Sequence, residues 1–502
     1  MAGRIEEMTT RRSLLSRRGV LKFSTISFFT IFMNILTSSY SQSGFLSIDC
    51  GSTRAMYNDS LGLEWVTDNG TYITTGISYE QSYVNWTFLN SSAGAKMEAL
   101  QSFTYFPDSR SKYCYELETQ PTSSYLIRAS FYMNVYEQNM RAPFQFVAHL
   151  NGTQWFTLIS NGSEGNDFFV TQEAIFNSPA RVIYFCLQPV VGMPFISSLE
   201  LRRLAPTMYS YGGSNVQYLS LLYRYNLGPT STIPKVVRFP DDSYDRIWEQ
   251  VQWQDDMCGS PFPSTSCRSC PVPQDTTIRA DVNYVPPKVM QDAYMFLSHD
   301  GWLDSFSLSF YTDRVPEVYL PPLELAYVIV YAENLISSDI KHSYSYNIIL
   351  DINTAFGQIS GVVNVSNRAS MLAIPNHLIV YASSITFSIP TSTNDLPLNA
   401  AEAFAQYSFN YSTTSSDDDN FIKVLKKNRS LTDWHGDPCS PVPYDWLTCI
   451  CTSCYSDQDT NQQRTSLYEY AISSLTVSNV RTSGLRFFQD QAIIWPTYLE
   501  NL

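Results

Sequence analysis

The sequence predicts an all-β protein made of two β-sandwiches in tandem, followed by a short disulfide-stapled connector. Three observations carry this. Aromatic residues make up 14% of the 502 positions, 34 of them tyrosine, and they gather with Val and Ile in runs that favour strands. The strand pattern of the first half returns in the same order about two hundred residues later. Near the end, Cys439 closes a Gly-Asp-Pro turn and Cys449 follows soon after. With 44% hydrophobic and 16% charged residues the chain is globular, and it is too long for one ordinary core.

In chain order, residues 1–43 read as a signal peptide or signal anchor. Arg11, Arg12, Arg17, Arg18 and Lys22 lead into an apolar run from Phe23 to Leu36, and small polar residues follow to Ser43. That run is short for a membrane span. Cleavage near Ser41–Ser43 is the first reading and retention as an anchor the second. Ten cysteines, an even number, fit an oxidising compartment. So do nine Asn-x-Ser/Thr sequons, the candidate glycosylation sites: Asn58, Asn69, Asn85, Asn90, Asn151, Asn161, Asn364, Asn410 and Asn428.

Residues 44–206 form the first predicted sandwich. Ser124–Met133 is a run of β-formers, and Phe144, Phe146, Ala148 and Leu150 alternate before Asn151-Gly152, a hairpin turn into Gln154–Ile159. Arg181–Leu187 and Phe195–Leu201 read as further strands. The Gly/Ser/Tyr-rich stretch 207–235 reads as a linker. Residues 236–411 repeat the plan. Leu325–Tyr331 answers Ser124–Tyr132, Tyr346–Ile352 answers Phe144–Leu150, Leu378–Ile389 answers Arg181–Leu187, and Leu396–Glu402 answers Pro194–Glu200.

Residues 412–432 read as an acidic linker, with Asp417-Asp418-Asp419, and a short helix over Phe421–Lys427. The connector spans 433–454. There Pro438 fixes its own φ and pushes Asp437 out of the helical region. A Cys439–Cys449 bridge would close a small loop around Tyr444 and Trp446. Residues 455–502 are an atypical tail, weakly patterned around Leu475, Val477 and Val480.

Catalytic chemistry is hard to find. None of His149, His299, His342, His377 and His435 stands beside a nucleophile elbow, a catalytic-cysteine signature or an HExxH pair. A glycine-rich phosphate loop and an Asp-Phe-Gly are also missing, so no kinase domain and no enzyme is expected. Asp241, Asp242 and Asp245 are carboxylates close in sequence, but neighbours in a strand or turn point apart, which favours a turn role over glycoside hydrolysis. The pairs Cys267/Cys270 and Cys451/Cys454 lie too far apart for a zinc ribbon; no metal or cofactor is expected. A net charge of −14, with no basic patch after the first residues, argues against nucleic acid and anionic lipid as partners. Tyr113, Tyr115, Tyr132 and Tyr136 fall near strand ends and are the candidate ligand-contacting rings, with ordinary sandwich core as the alternative for each.

Several motifs resemble one family. Phe45-Leu46-Ser47-Ile48-Asp49-Cys50-Gly51, Leu63-Glu64-Trp65-Val66-Thr67-Asp68, Lys112-Tyr113-Cys114-Tyr115 and Phe195-Ile196-Ser197-Ser198-Leu199-Glu200-Leu201-Arg202 are similar to stretches of plant malectin-like ectodomains. Arg238-Phe239-Pro240-Asp241-Asp242-Ser243-Tyr244-Asp245-Arg246-Ile247-Trp248 resembles that family's entry into its second repeat. Gly436-Asp437-Pro438-Cys439 resembles its junction with leucine-rich repeats. The resemblance implies tandem malectin-like β-sandwiches of jelly-roll type on the outside of a plant cell, usually leading to leucine-rich repeats, a membrane span and a kinase. None of these three is legible after Cys454.

The expectation is therefore a non-catalytic extracellular module that binds a di- or oligosaccharide of the cell wall or of glycoproteins. The alternative is a peptide or co-receptor interaction module of a receptor-like kinase system, and a wall-polysaccharide enzyme comes last. The expected location is the secretory pathway and then the outer face of the plasma membrane or the cell wall, with membrane association through the N-terminal segment.

Overall fold

The computed structural model describes residues 44–89, 97–107, 110–137, 142–162, 167–209, 217–227, 236–250, 267–271, 283–290, 292–296, 305–309, 318–321, 325–332, 346–354, 357–365, 370–373, 384–388, 396–408, 412–414, 436–444, 447–451 and 468–475. The predicted signal segment, the predicted helix Phe421–Lys427, Trp434, Trp446 and Cys454 lie outside them. Among the described residues no helix is long and apolar enough to cross a membrane.

Three sheets recur in the two halves with the same strand order. In the first half the hairpin Phe144–Leu150 with Thr153–Ser160 continues through Val182–Val191 to Tyr113–Glu118. In the second, Tyr346–Thr354 with Gly357–Val365 continues through Ser384–Ser388 to Ser305–Ser309. The small sheet Ile77–Glu80, Ser102–Tyr105, Phe195–Ile196 is answered by Cys267–Pro271, Asp292–Phe296, Leu396–Leu398. The third set, Ser198–Arg203, Ser124–Met133, Phe168–Asn177, is answered by Ala400–Ser408, Leu325–Ala332, Ser370–Ala373. The Asn151-Gly152 hairpin forms as its residues demand, with φ of 51° and 86° giving the left-handed turn that matches strand twist.

The two copies of the third set are not separate bodies. Gln217–Asn226 pairs with Phe168–Asn177 on one side and with Ala400–Ser408 on the other, fusing them into a single 12-stranded sheet. This corrects the linker reading of 207–235. Tyr218, Leu219, Leu221, Leu222, Tyr223 and Tyr225 are strand formers, and they lie within the strand Gln217–Asn226. A second tie comes from Val318–Tyr319, which adds an edge strand to Thr153–Ser160 of the first half.

Fusion explains why Ser124–Met133 is buried on both faces, with Arg128 and Ser130 as polar residues inside it. Tyr125, Ile127, Ala129, Phe131 and Met133 face the first sandwich core, where Phe131 meets Phe146, Phe156 and Phe195. On the other face Leu126 joins a second core with Ile175, Leu219, Trp248, Tyr331 and Phe404, drawn from both halves. A strand buried on both faces is mostly apolar, and a charge on it such as Arg128 needs buried partners. Truncation of Phe131 to alanine would remove a ring from the first core at a cost of about 3–5 kcal/mol.

Two disulfides are formed among the described residues. Cys114 and Cys186 face each other across adjacent strands, and Cys439 is joined to Cys449. The tail also differs from its sequence reading. Tyr468–Leu475 pairs antiparallel with Leu447–Cys451 and parallel with Ser412–Thr414, so part of it is a strand of a small sheet shared with the connector.

Candidate ligand-binding site

Most of the chemistry-bearing motifs turn inward. Across the fused sheet, Glu200, Arg128, Glu173, Arg224 and Glu402 form a ladder of alternating charge on five neighbouring strands, with contacts of 3.0, 3.0, 2.5 and 2.5 Å in that order. Glu200 and Glu402 occupy equivalent strands of the two repeats. The segment Arg238–Trp248 lies over this ladder. Asp245, in a left-handed conformation at φ 55°, meets Arg202 at 2.9 Å, Arg238 at 2.9 Å and Arg128 at 3.4 Å. Asp242 accepts from Arg246 at 2.8 Å and from the Trp248 indole at 2.7 Å. Arg246 reaches the Tyr209 hydroxyl at 3.0 Å, and that hydroxyl donates to Glu402 at 2.8 Å.

All these charged groups are buried. Arg128, Arg202, Arg224, Arg238 and Arg246 balance Glu173, Glu200, Glu402, Asp242 and Asp245. Burial alone would raise the Asp245 pKa, but Arg238, Arg202 and Arg128 hold it well below the usual carboxylate range. Such a set does not present a catalytic pair to solvent. It aligns two halves of the molecule, because each partner left alone would be a buried, uncompensated charge.

The other motifs are interior as well. Asp68 accepts from the Gly51 amide, the Thr104 hydroxyl and the Tyr115 hydroxyl, and Asp49 accepts from Tyr57 and Ser102. Burial pushes Asp49 up to about 6, against the lowering effect of those hydrogen bonds. Tyr113, Tyr115 and Tyr132 are corrected from candidate contact rings to core: each ring is enclosed, as strand residues packed between layers must be.

Tyr136 is different. Its ring is 67% exposed and stands edge-to-face with Tyr83, itself 51% exposed, with centroids 5.9 Å apart. Beneath them is a built polar floor. Glu137 accepts from the Tyr79 hydroxyl, from the Ser82 amide at 2.9 Å and hydroxyl at 2.8 Å, and from Asn134 at 3.2 Å. Burial would raise Glu137, but these hydrogen bonds hold it below the ordinary value. Asn134 also donates to the Tyr83 carbonyl, and Asp167 accepts from the Val135 amide at 2.7 Å. Tyr132 supports the floor from below: its hydroxyl accepts from the Asn85 amide at 2.9 Å and donates to Asp167 at 3.4 Å. The arrangement offers one ring face, one ring edge and nearby acidic oxygens on a fixed base, a surface suited to recognition. Tyr83 is not singled out in sequence; its signal is an aromatic in a polar stretch, Gln81-Ser82-Tyr83.

The sequons separate by exposure. Asn58, Asn69 and Asn161 are exposed and Asn85 is half-buried. Asn151 is 3% exposed in the hairpin turn, so the folded chain has no room for a glycan there, which corrects that candidate. The side chains of Asn90, Asn364, Asn410 and Asn428 lie outside the described residues.

The connector residues Gly436, Asp437, Pro438 and Cys439 are buried, and they pack on the first repeat. Lys112 donates to the carbonyls of Asp437, Pro438 and Ser440 at 2.6, 3.3 and 2.7 Å. Burial pulls its ammonium down to about 7, opposed by the charge of Asp437. Nearby, burial lowers His149 to about 4, with Lys112 adding to the effect.

Comparison with known proteins fits this architecture. An Arabidopsis thaliana protein named "Probable LRR receptor-like serine/threonine-protein kinase" is 28% identical over 428 residues, a match covering 82% of this chain and 42% of that protein. The chain thus spans less than half of that relative's length. Among solved structures, the plant receptor-like kinase FER superposes with a TM-score of 0.52 at 15% identity, over 72% of this chain and 96% of FER. FER also occurs in a structure of the plant peptide RALF23 with FER and LLG2, similar at a TM-score of 0.50 and 14% identity over 72% and 95% of the two chains. The model of the malectin-like domain family matches residues 48–406, and the chain belongs to that family.

Proposed function

We propose that this chain is a non-catalytic recognition module of the receptor-ectodomain kind, acting on the outer face of the cell, whose ligand is a peptide or a co-receptor protein. The observation that carries this reading is the surface pair Tyr83 and Tyr136, an exposed aromatic anchor on a hydrogen-bonded floor. Large, rigid rings of this kind anchor protein partners at low entropic cost. Support also comes from the fold neighbour FER, solved in a complex with a peptide and LLG2. A second reading, oligosaccharide binding, is favoured by the same exposed rings beside acidic oxygens, but three of the four candidate ligand-contacting tyrosines are core residues.

The test is titration of the secreted chain with synthetic signalling peptides and, in parallel, with cell-wall oligosaccharides. Saturable peptide binding that Tyr136→Ala weakens, with thermal stability unchanged, is the expected result. Saturable binding of oligosaccharides alone would replace the proposal with the second reading.

A further inference from the structure

The connector follows the second repeat in sequence but is held by the first. Lys112 stands immediately before the strand Tyr113–Glu118. Its buried ammonium has three protons, and three connector carbonyls receive them, while the Tyr444 ring lies 4.4 Å away. The carboxylate of Asp437 shapes this cage from inside the connector, since its Oδ1 accepts the amides of Cys439 and Ser440, both at 2.9 Å. Gly436 completes the fit. At φ 95° it rests on the Cys114–Cys186 bridge, where a Cβ would come within 2.7 Å of the Cys114 Cβ and 2.8 Å of its Sγ.

What this contact holds is larger than four residues. Leu447–Cys451 is tied back to the cage by the Cys439–Cys449 bridge and pairs with Tyr468–Leu475, which pairs in turn with Ser412–Thr414. We propose that Lys112 is the latch of this device: by filling the carbonyl cage it fixes the connector and its small sheet to the first repeat. The connector's seat is then fixed on the first repeat as well as by the chain that leads into it. The inference is independent of which ligand the module binds.

Hydrogen exchange on the full secreted chain tests it. Lys112→Met keeps an apolar stem and removes the donors. Exchange in peptides spanning Gly436–Cys451 is expected to rise by about tenfold or more while Ser124–Met133 stays protected. Gly436→Ala attacks the same contact from the connector side and is expected to give the same pattern, with no further increase when the two changes are combined. Unchanged protection of the connector in Lys112→Met would overturn the proposal. So would an equal loss of protection throughout the first repeat, or additive effects in the double variant. Should Lys112→Met fail to be secreted, Gly436→Ala alone decides: protection lost only in the connector supports the latch, and protection kept refutes it.

Discussion

The interior seam between the repeats and the Tyr83–Tyr136 surface are opposites in composition. The seam gathers arginines and carboxylates with no access to solvent, whereas the surface carries two tyrosines over a few hydrogen-bonded polar groups. In sequence the seam is the conspicuous one, because Arg238-Phe239-Pro240-Asp241-Asp242-Ser243-Tyr244-Asp245-Arg246-Ile247-Trp248 concentrates charge and aromatics in a short space. The structure makes it the glue of the fold. A dense motif can be dense because burial makes every partner obligatory, while a recognition surface needs only a few fixed groups.

Changes at the seam are expected to act on stability, and the largest effect should come from Asp245→Asn. It removes the charge on which Arg128, Arg202 and Arg238 converge and should cost about 3–5 kcal/mol in denaturant unfolding. An unfolding midpoint like that of the wild type would break the comparison at its first step.

Next in size is a pH effect centred on His149. Its pKa falls from 6.5 to about 4 in the folded chain, so the unfolded state binds more protons between those values. Stability from this group is full above pH 6.5 and is lost as pH falls towards 4, by up to about 3 kcal/mol. Asp49 acts with the opposite sign: raised from 3.8 to about 6, it contributes stability below 3.8 that is lost as pH rises through 6. Over pH 4 to 7 the two effects largely cancel in the wild type, so His149→Gln should lose stability as pH rises from 4 to 6, whereas Asp49→Asn should show the uncompensated decline as pH falls towards 4.

How much of this was legible depends on the kind of signal. Strand identity and the duplication were, because alternation, the Asn-Gly turn and the matched segments are local patterns. The bridging strand Gln217–Asn226 was not, since its flanking glycines resemble those of a linker and its two partners lie on either side of it in sequence. At the candidate site Tyr136 was legible, but Tyr113, Tyr115 and Tyr132 were indistinguishable from it: all are tyrosines near strand ends, and only packing decides which rings are covered. Lys112 was visible as part of a motif, yet its partners lie more than three hundred residues away, beyond any local pattern.

Surface changes should be small by comparison. Lys288 and Asp241 make an ion pair at 2.7 Å, but both are substantially exposed, so Lys288→Ala is expected to cost less than about 1 kcal/mol. A large loss there would mean that the seam extends to the surface. Smallest of all should be the effect of Tyr136→Ala on stability, within about 0.5 kcal/mol, since its ring is 67% exposed and stands edge-to-face with another exposed ring, Tyr83.

The most direct test of the division between seam and surface measures thermal stability and peptide affinity together in the double variant Tyr83→Ala/Tyr136→Ala. The expected result is an unchanged melting temperature with peptide binding lost. Wild-type affinity in that variant would contradict the assignment of recognition to this pair.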